Sequence, residues 1–176
     1  MENEQKGWFA VKVFFNRVSR YKNDIISLGL EVYMPMRIDR KVVEGEVVRS
    51  LKPLIPSTLF VYCTPSWLIN YRYEHWGYLM YYSEVGSYNP GRIDDDEMEM
   101  FRKVTSLGED ARVEYIGKDR PEYHTGEKVR ILDGMYKGAE GYIKRIRKDR
   151  KLLVCVKGVA VVAIADIHAA KLEKVV

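Results

Sequence analysis

The chain has 176 residues, 47% of them hydrophobic, and a formal net charge of +4. That is enough apolar material for one good core, or for one medium and one small domain, and it excludes disorder as the overall state. The modest positive charge implies mild attraction to polyanions, without the Lys/Arg excess of a protein that coats duplex DNA.

"WFAVKVF" (8–14) places Phe9, Val11 and Val13 on one face and reads as a buried strand. In "NRVSRYKNDIISLGL", Val18, Tyr21, Ile25 and Leu28 recur at helical spacing, with Asn16 expected to cap the start and Gly29 to close the end. "LEVYMPM" (30–36) is a second expected strand, "RKVVEGEVVRS" (40–50) a hairpin around Glu44-Gly45, and "LIPSTLFVYC" (54–63) a central strand. Thr64-Pro65 starts a helix that stops at Gly77, "YLMYY" (78–82) is a strand, and Asp94 with Glu97 has capping-box spacing for a helix ending at Gly108. This order predicts an α+β protein whose N-terminal part is an α/β sandwich with a mostly antiparallel sheet.

Residues 109–124 are polar, carry Pro121 and read as a linker. After them "GEKVRIL", "GAEGYIKRI", "KLLVCVK" and "VAVVAIA" are four short strands, with "AAKLEKV" able to supply a fifth. Their spacing predicts a small C-terminal β-barrel of about 50 residues, near the lower limit of independent stability. The expected boundaries are 7–108, 109–124 and 125–176.

Few residues in this sequence point to catalysis. "GMYKGAEG" lacks the Lys and hydroxyl that a phosphate-binding P-loop needs, so Gly134, Gly138 and Gly141 read as barrel corners that permit positive φ and close strand approach. The acids of "IDDDE" suit a helix start better than a converging metal site. His75, His124 and His168 are scattered without metal-ligand spacing, and Cys63 and Cys155 form no C-x-x-C pair, so no cofactor, metal or disulfide framework is indicated. No catalytic motif is visible, and a non-enzymatic protein is expected. "MENEQKGWFAVKVFF" lacks the pattern of a signal peptide and no apolar run approaches roughly 20 residues, so a cytoplasmic protein without membrane contact is expected.

Binding surfaces are better represented. Lys144, Arg147, Lys148 and Arg150 in "KRIRKDRK" form either a solvated turn or a contact to phosphate. Arg17, Arg20 and Lys22 form a second basic group near the first helix. Phe60, Tyr62, Tyr78, Tyr81 and Tyr82 lie along strands, so some face away from the core and could stack bases or meet a protein partner.

The segment "GEKVRILDGMYKGAEGYIKRI" resembles a KOW motif, and "VAVVAIADIHAAKLEKV" resembles the strands that complete its SH3-like barrel in NusG-type transcription factors. "WFAVKVFFNRV", "VYMPM", "KPLIPSTLFVY" and "GYLMYYSEVGSYNPGRIDDDEMEMF" are similar, in order and spacing, to an NGN domain. The resemblance implies a monomeric elongation or antitermination factor whose NGN domain docks on the clamp helices of the largest RNA polymerase subunit. Ile55, Pro56, Thr58, Phe60 and Tyr81 would form the docking patch. Arg17 and Arg20 would approach the non-template DNA strand, with nascent RNA as another nucleic-acid partner, and the KOW barrel would recruit a ribosomal protein, a termination factor or RNA. "PST" (56–58) and Lys12 depart from the family pattern, and the C-terminal half is similar to UpxY-type regulators of surface-polysaccharide operons; both imply a specialised paralogue. The other readings are a housekeeping NusG-type factor and a KOW-type nucleic-acid- or ribosome-binding protein.

Overall fold

The computed structural model describes residues 4–106, 112–165, 167 and 171–176. In chain order the elements are β1 (Gly7–Val13), α1 (Val18–Ser27), β2 (Glu31–Tyr33), β3 (Met36–Val43), β4 (Glu46–Pro53), β5 (Thr58–Cys63), α2 (Pro65–Glu74), β6 (Leu79–Tyr81), β7 (Arg92–Ile93), α3 (Asp95–Thr105), β8 (Val113–Gly117), β9 (Lys128–Ile131), β10 (Glu140–Ile146), β11 (Asp149–Val156), β12 (Ala160–Ile164) and β13 (Leu172–Lys174), with a 3-10 turn at Pro121–His124. The chain divides into two compact units, Met1–Met34 with Ile55–Met98 and Pro35–Leu54 with Glu99–Val176.

The first unit is built on a five-stranded antiparallel sheet in the order β2-β5-β1-β6, with β7 also paired to β1. Phe9 stands opposite Val61 and Ala10 opposite Phe60. Because strand side chains alternate, Phe9, Val11, Leu59 and Val61 share one face while Ala10, Thr58 and Phe60 share the other, and all seven are buried. Both faces at the centre of this sheet are therefore covered, which makes it the middle layer of a sandwich.

Local chemistry accounts for the helix ends. Thr64 accepts the Trp67 N–H at 3.3 Å and Pro65 occupies the first turn of α2, as the sequence predicts. The cap expected from Asn16 does not form: Asn16 takes a φ of +55° and Arg17 occupies the cap position without a side-chain bond. Gly29 follows α1 at φ +81°, the left-handed stop expected of it. Tyr21 of α1 meets Tyr71 and His75 edge-on at centroid separations of 6.4 and 5.2 Å, which sets α1 beside the C-terminal end of α2. The first turn of α3 carries Asp95, Asp96 and Glu97, favourable at the positive end of a helix dipole. Gly108 lies outside the described residues.

The expected hairpin is longer than its sequence signal. β3 and β4 pair from Met36–Pro53 to Val43–Glu46 and form a separate two-stranded sheet. Its Glu44-Gly45 turn has φ of +52° and +85°, the sign that the twist of a two-residue hairpin demands. The strand expected across 54–63 begins only at Thr58, since Ser57 turns through φ +57°.

In the second unit a six-stranded antiparallel sheet runs β13-β9-β10-β11-β12-β8. The strands expected from 125 onward are present, β13 as the fifth. The sixth is a correction: residues 113–117, read as linker, form β8 and pair with β12. Their mixed polarity hides an edge strand whose partner is far along the chain. Leu153, Val161 and Ala163 form a buried cluster, with Ile116, Tyr123, Ile146 and Cys155 packed against it.

Candidate nucleic-acid and polymerase interface

The β1–α1 corner brings the exposed Phe15 and Tyr78 together with Arg17 and Lys12. Two successive non-glycine residues, Phe15 and Asn16, take φ of +59° and +55°. Each such conformation costs of order 1 kcal/mol and persists only where the surroundings enforce it. Here the Phe14 N–H donates to the Tyr78 carbonyl at 2.9 Å, pinning the end of β1 beside Tyr78. The turn throws Phe15 outward, 72% exposed, with its ring 5.9 Å from Tyr78 in an edge-to-face arrangement. The Arg17 guanidinium lies over the Tyr78 ring at 4.5 Å, and the Lys12 ammonium lies 5.6 Å from the Phe14 centroid. Met80, opposite Lys12 in the register, is 50% exposed. Flat rings beside fixed cations can stack bases while holding the phosphates of a single strand.

Arg17 thus belongs to a built cluster. Arg20 instead lies 3.7 Å from the Asp24 carboxylate on the exposed face of α1, an ion pair of little energetic weight. Phe15 was absent from the sequence-derived site. The signal was the doubled aromatic in "VFFN": Phe14 and Phe15 break the alternation of Phe9, Val11 and Val13, and Asn16 tolerates the left-handed region.

The five residues expected to meet polymerase are not gathered on one surface. Ile55, Thr58 and Phe60 are buried, whereas Pro56 is exposed and Tyr81 partly so. Thr58 pairs with Lys12 and Tyr81 with Val11, so Thr58 and Phe60 point to the face opposite Tyr81. Tyr81 donates its hydroxyl to the Tyr88 carbonyl at 2.9 Å, and Tyr82 sits 3.5 Å from the Thr58 hydroxyl. Only Pro56 and Tyr81 of the five offer side-chain atoms to a partner in this conformation.

In the second unit Gly134 and Gly138 take φ of +76° and +86°. Gly141 meets a different demand: a Cβ there would lie 2.0 Å from the Leu153 carbonyl oxygen, so β10 and β11 approach in a way that only glycine permits. The basic turn follows along the same hairpin. Arg147 takes φ +60°, and Arg147, Lys148 and Arg150 are exposed. Lys144 donates to the Thr125 hydroxyl at 2.6 Å and pairs with Lys151, whereas Arg150 stands opposite Arg145 on the other face. The four residues therefore divide between two faces and a tip, and Arg145 joins Arg150 where the sequence had not singled it out.

Three groups that the sequence left scattered converge. A His124 ring nitrogen, Nε2, lies 2.7 Å from the Asp119 carboxylate, and Cys155 brings its sulfur within 4.8 Å of both. His75 instead packs against Tyr21 and Tyr71, and His168 lies outside the described residues. Cys63 is buried in β5, and burial pushes its thiol up to about 12. No helix among the described residues is long and apolar enough to cross a membrane.

A family model described as transcription termination factor NusG matches residues 6–102. No curated protein sequence matches the chain significantly. Among solved structures, one titled "Domain interaction in Thermotoga maritima NusG" is similar with a TM-score of 0.52 at 19% identity, covering 98% of this chain and 98% of that one. That likeness supports the fold, an NGN-type sandwich followed by a KOW-like antiparallel sheet. Members of the NusG family are non-enzymatic transcription elongation or termination factors that bind RNA polymerase. The family match spans more than half of the chain and coincides with the sandwich and its strained corner, so this protein belongs to the NusG family of transcription factors.

Proposed function

We propose that this chain is an antitermination or elongation factor whose NGN domain, about residues 7–108, holds the clamp helices of RNA polymerase while the β1–α1 corner meets the non-template strand. The observation that carries this reading is the corner itself: Phe15 held outward by a strained turn, edge-on to Tyr78, with Arg17 fixed over the same ring. Strain of this kind is retained where a surface has to be presented in one geometry. Pro56 and Tyr81 offer direct contacts to polymerase, and Ile55, Thr58 and Phe60 hold the strand behind them. The mechanism is binding: a factor with higher affinity for the closed, elongating polymerase shifts the population toward that state. The C-terminal KOW sheet then recruits a ribosomal protein, a termination factor or RNA. The departures at Lys12 and 56–58 favour a specialised paralogue serving a surface-polysaccharide operon.

A pull-down with the clamp-helix segment tests the polymerase contact. Wild type is retained at low salt and Tyr81→Asp is lost; failure of wild type to bind overturns the reading. Phe60→Asp is the poorer variant, because it buries an unpaired carboxylate and threatens the fold. Mapping transcripts after removal of the protein tests the specialised role, which predicts that one operon changes and is contradicted by a change in many.

A second reading, a KOW protein that binds nucleic acid through its C-terminal sheet, is favoured by one observation. Arg145 and Arg150 stand directly opposite each other on β10 and β11, a like-charge pairing that an anion would relieve. Retention of full RNA affinity by the full chain carrying Arg145→Ala and Arg150→Ala would remove it.

A further inference from the structure

We propose that Asp119, His124 and Cys155 form a binding site for a thiophilic divalent cation, with zinc as the first choice. One carboxylate oxygen, one ring nitrogen and the sulfur all lie within 4.8 Å of one another. With metal–ligand bonds of about 2.0–2.3 Å, tetrahedral donors sit roughly 3.3–3.8 Å apart, so a small closure toward a common centre completes the site. The Asp119–His124 contact at 2.7 Å has to open by about half an ångström, as the bond between them gives way to two bonds to metal.

The donors stand on parts of the second unit that are already fixed. Cys155 lies on β11 opposite Val161 and packs against the Leu153, Val161 and Ala163 cluster. The 3-10 turn covers the same face, because Tyr123 packs on that cluster and the ring of its neighbour His124 stands 5.7 Å from Tyr142, itself opposite Leu153. Asp119 precedes the turn, with its side chain only 6% exposed. Its second oxygen accepts the Gly158 N–H at 2.9 Å, which aims the first toward His124 in the manner of the supporting bonds that orient metal ligands.

The donor chemistry narrows the ion. A thiolate beside an imidazole selects zinc and related transition metals over magnesium or calcium, which prefer oxygen alone. Cys155 releases its thiol proton on binding, and the histidine ligates through a neutral ring nitrogen. Three protein donors leave a fourth position for water or an incoming ligand. The bound ion would staple residues 118–124 to the sheet beneath them. The sequence conceals this site because no two of the three residues stand at a recognised metal-ligand spacing; sheet pairing and one turn of 3-10 helix bring them together.

The test uses the untagged full chain, stripped with chelator and titrated with zinc, with cobalt as a spectroscopic stand-in, and with magnesium. One equivalent of zinc should bind and raise the melting temperature, cobalt should give a thiolate charge-transfer band, and magnesium should do neither. Cys155→Ser should abolish the band, and His124→Ala or Asp119→Asn should weaken binding at least tenfold, roughly the least expected even of a supporting residue at a metal site. Asp119→Asn keeps an oxygen for the Gly158 N–H, so it remains a test if the cysteine variant folds poorly. Cys63→Ala, in the first unit, should bind as wild type does. Absence of the band in wild type, its survival in Cys155→Ser, or its loss in Cys63→Ala would overturn the proposal.

Discussion

At the β1–α1 corner, Arg17 lies over the Tyr78 ring and Phe15 stands edge-on to the same ring, so charge and aromatic surface share one small area. At the β10–β11 turn, Arg145 faces Arg150 across the hairpin and Arg147 and Lys148 occupy the tip. In the proposed function the first arrangement would hold an unstacked base beside a phosphate. The second supplies a positive field that any polyanion would feel, and it should respond more to salt than to the presence of an exposed base.

The largest effect is expected from removing the scaffold of the second region. Gly141→Val places a side chain against the Leu153 carbonyl and should destabilise the C-terminal sheet by about 3 kcal/mol or more, read as a lower denaturant midpoint. Contacts made by the first region should survive it. Next in size, Phe15→Ala should cost about 1–3 kcal/mol of affinity for a single-stranded oligonucleotide, the range for one stacked base, with little change in stability because the ring is exposed. An unchanged affinity would remove the distinction between the two regions.

A smaller effect separates the regions by mechanism. Arg145→Ala with Arg150→Ala should lower the slope of log affinity against log salt by about 1.4, from about 0.7 per phosphate contact on a single strand, whereas Phe15→Ala should leave the slope unchanged. A last prediction is a control on the first unit's core. The Cys63 thiol rises from an ordinary 9.0 to about 12 on burial, so between those values the unfolded chain sheds a proton that the native chain keeps. Its contribution to stability is complete below pH 9.0 and is lost as pH rises toward 12, and Cys63→Ala should flatten that alkaline fall in unfolding titrations.

Much of the fold was legible because its signals are local. Alternation in "WFAVKVF", the Thr64-Pro65 start and the glycine-bounded strands after residue 125 each depend on a few neighbouring residues. β8 was not legible, since its pairing with β12 is remote in sequence and "VEYIG" carries little apolar pattern. Nor could alternation show that both faces of β5 are covered, which is why Phe60 reads as a surface anchor and proves to be core. The basic and aromatic residue types of the candidate sites were visible, but not their grouping. A positive φ at Phe15, a register that opposes Arg145 to Arg150 and a turn that carries His124 toward Cys155 are products of folding rather than of composition.

The central claim is that the β1–α1 corner meets the non-template strand while the chain is bound to polymerase. Photo-crosslinking from a base of the non-template strand in a purified elongation complex tests it most directly. The account predicts adducts at Phe15 or Tyr78 that disappear in Arg17→Ala. Adducts confined to residues 144–150, with the polymerase complex intact, would contradict it.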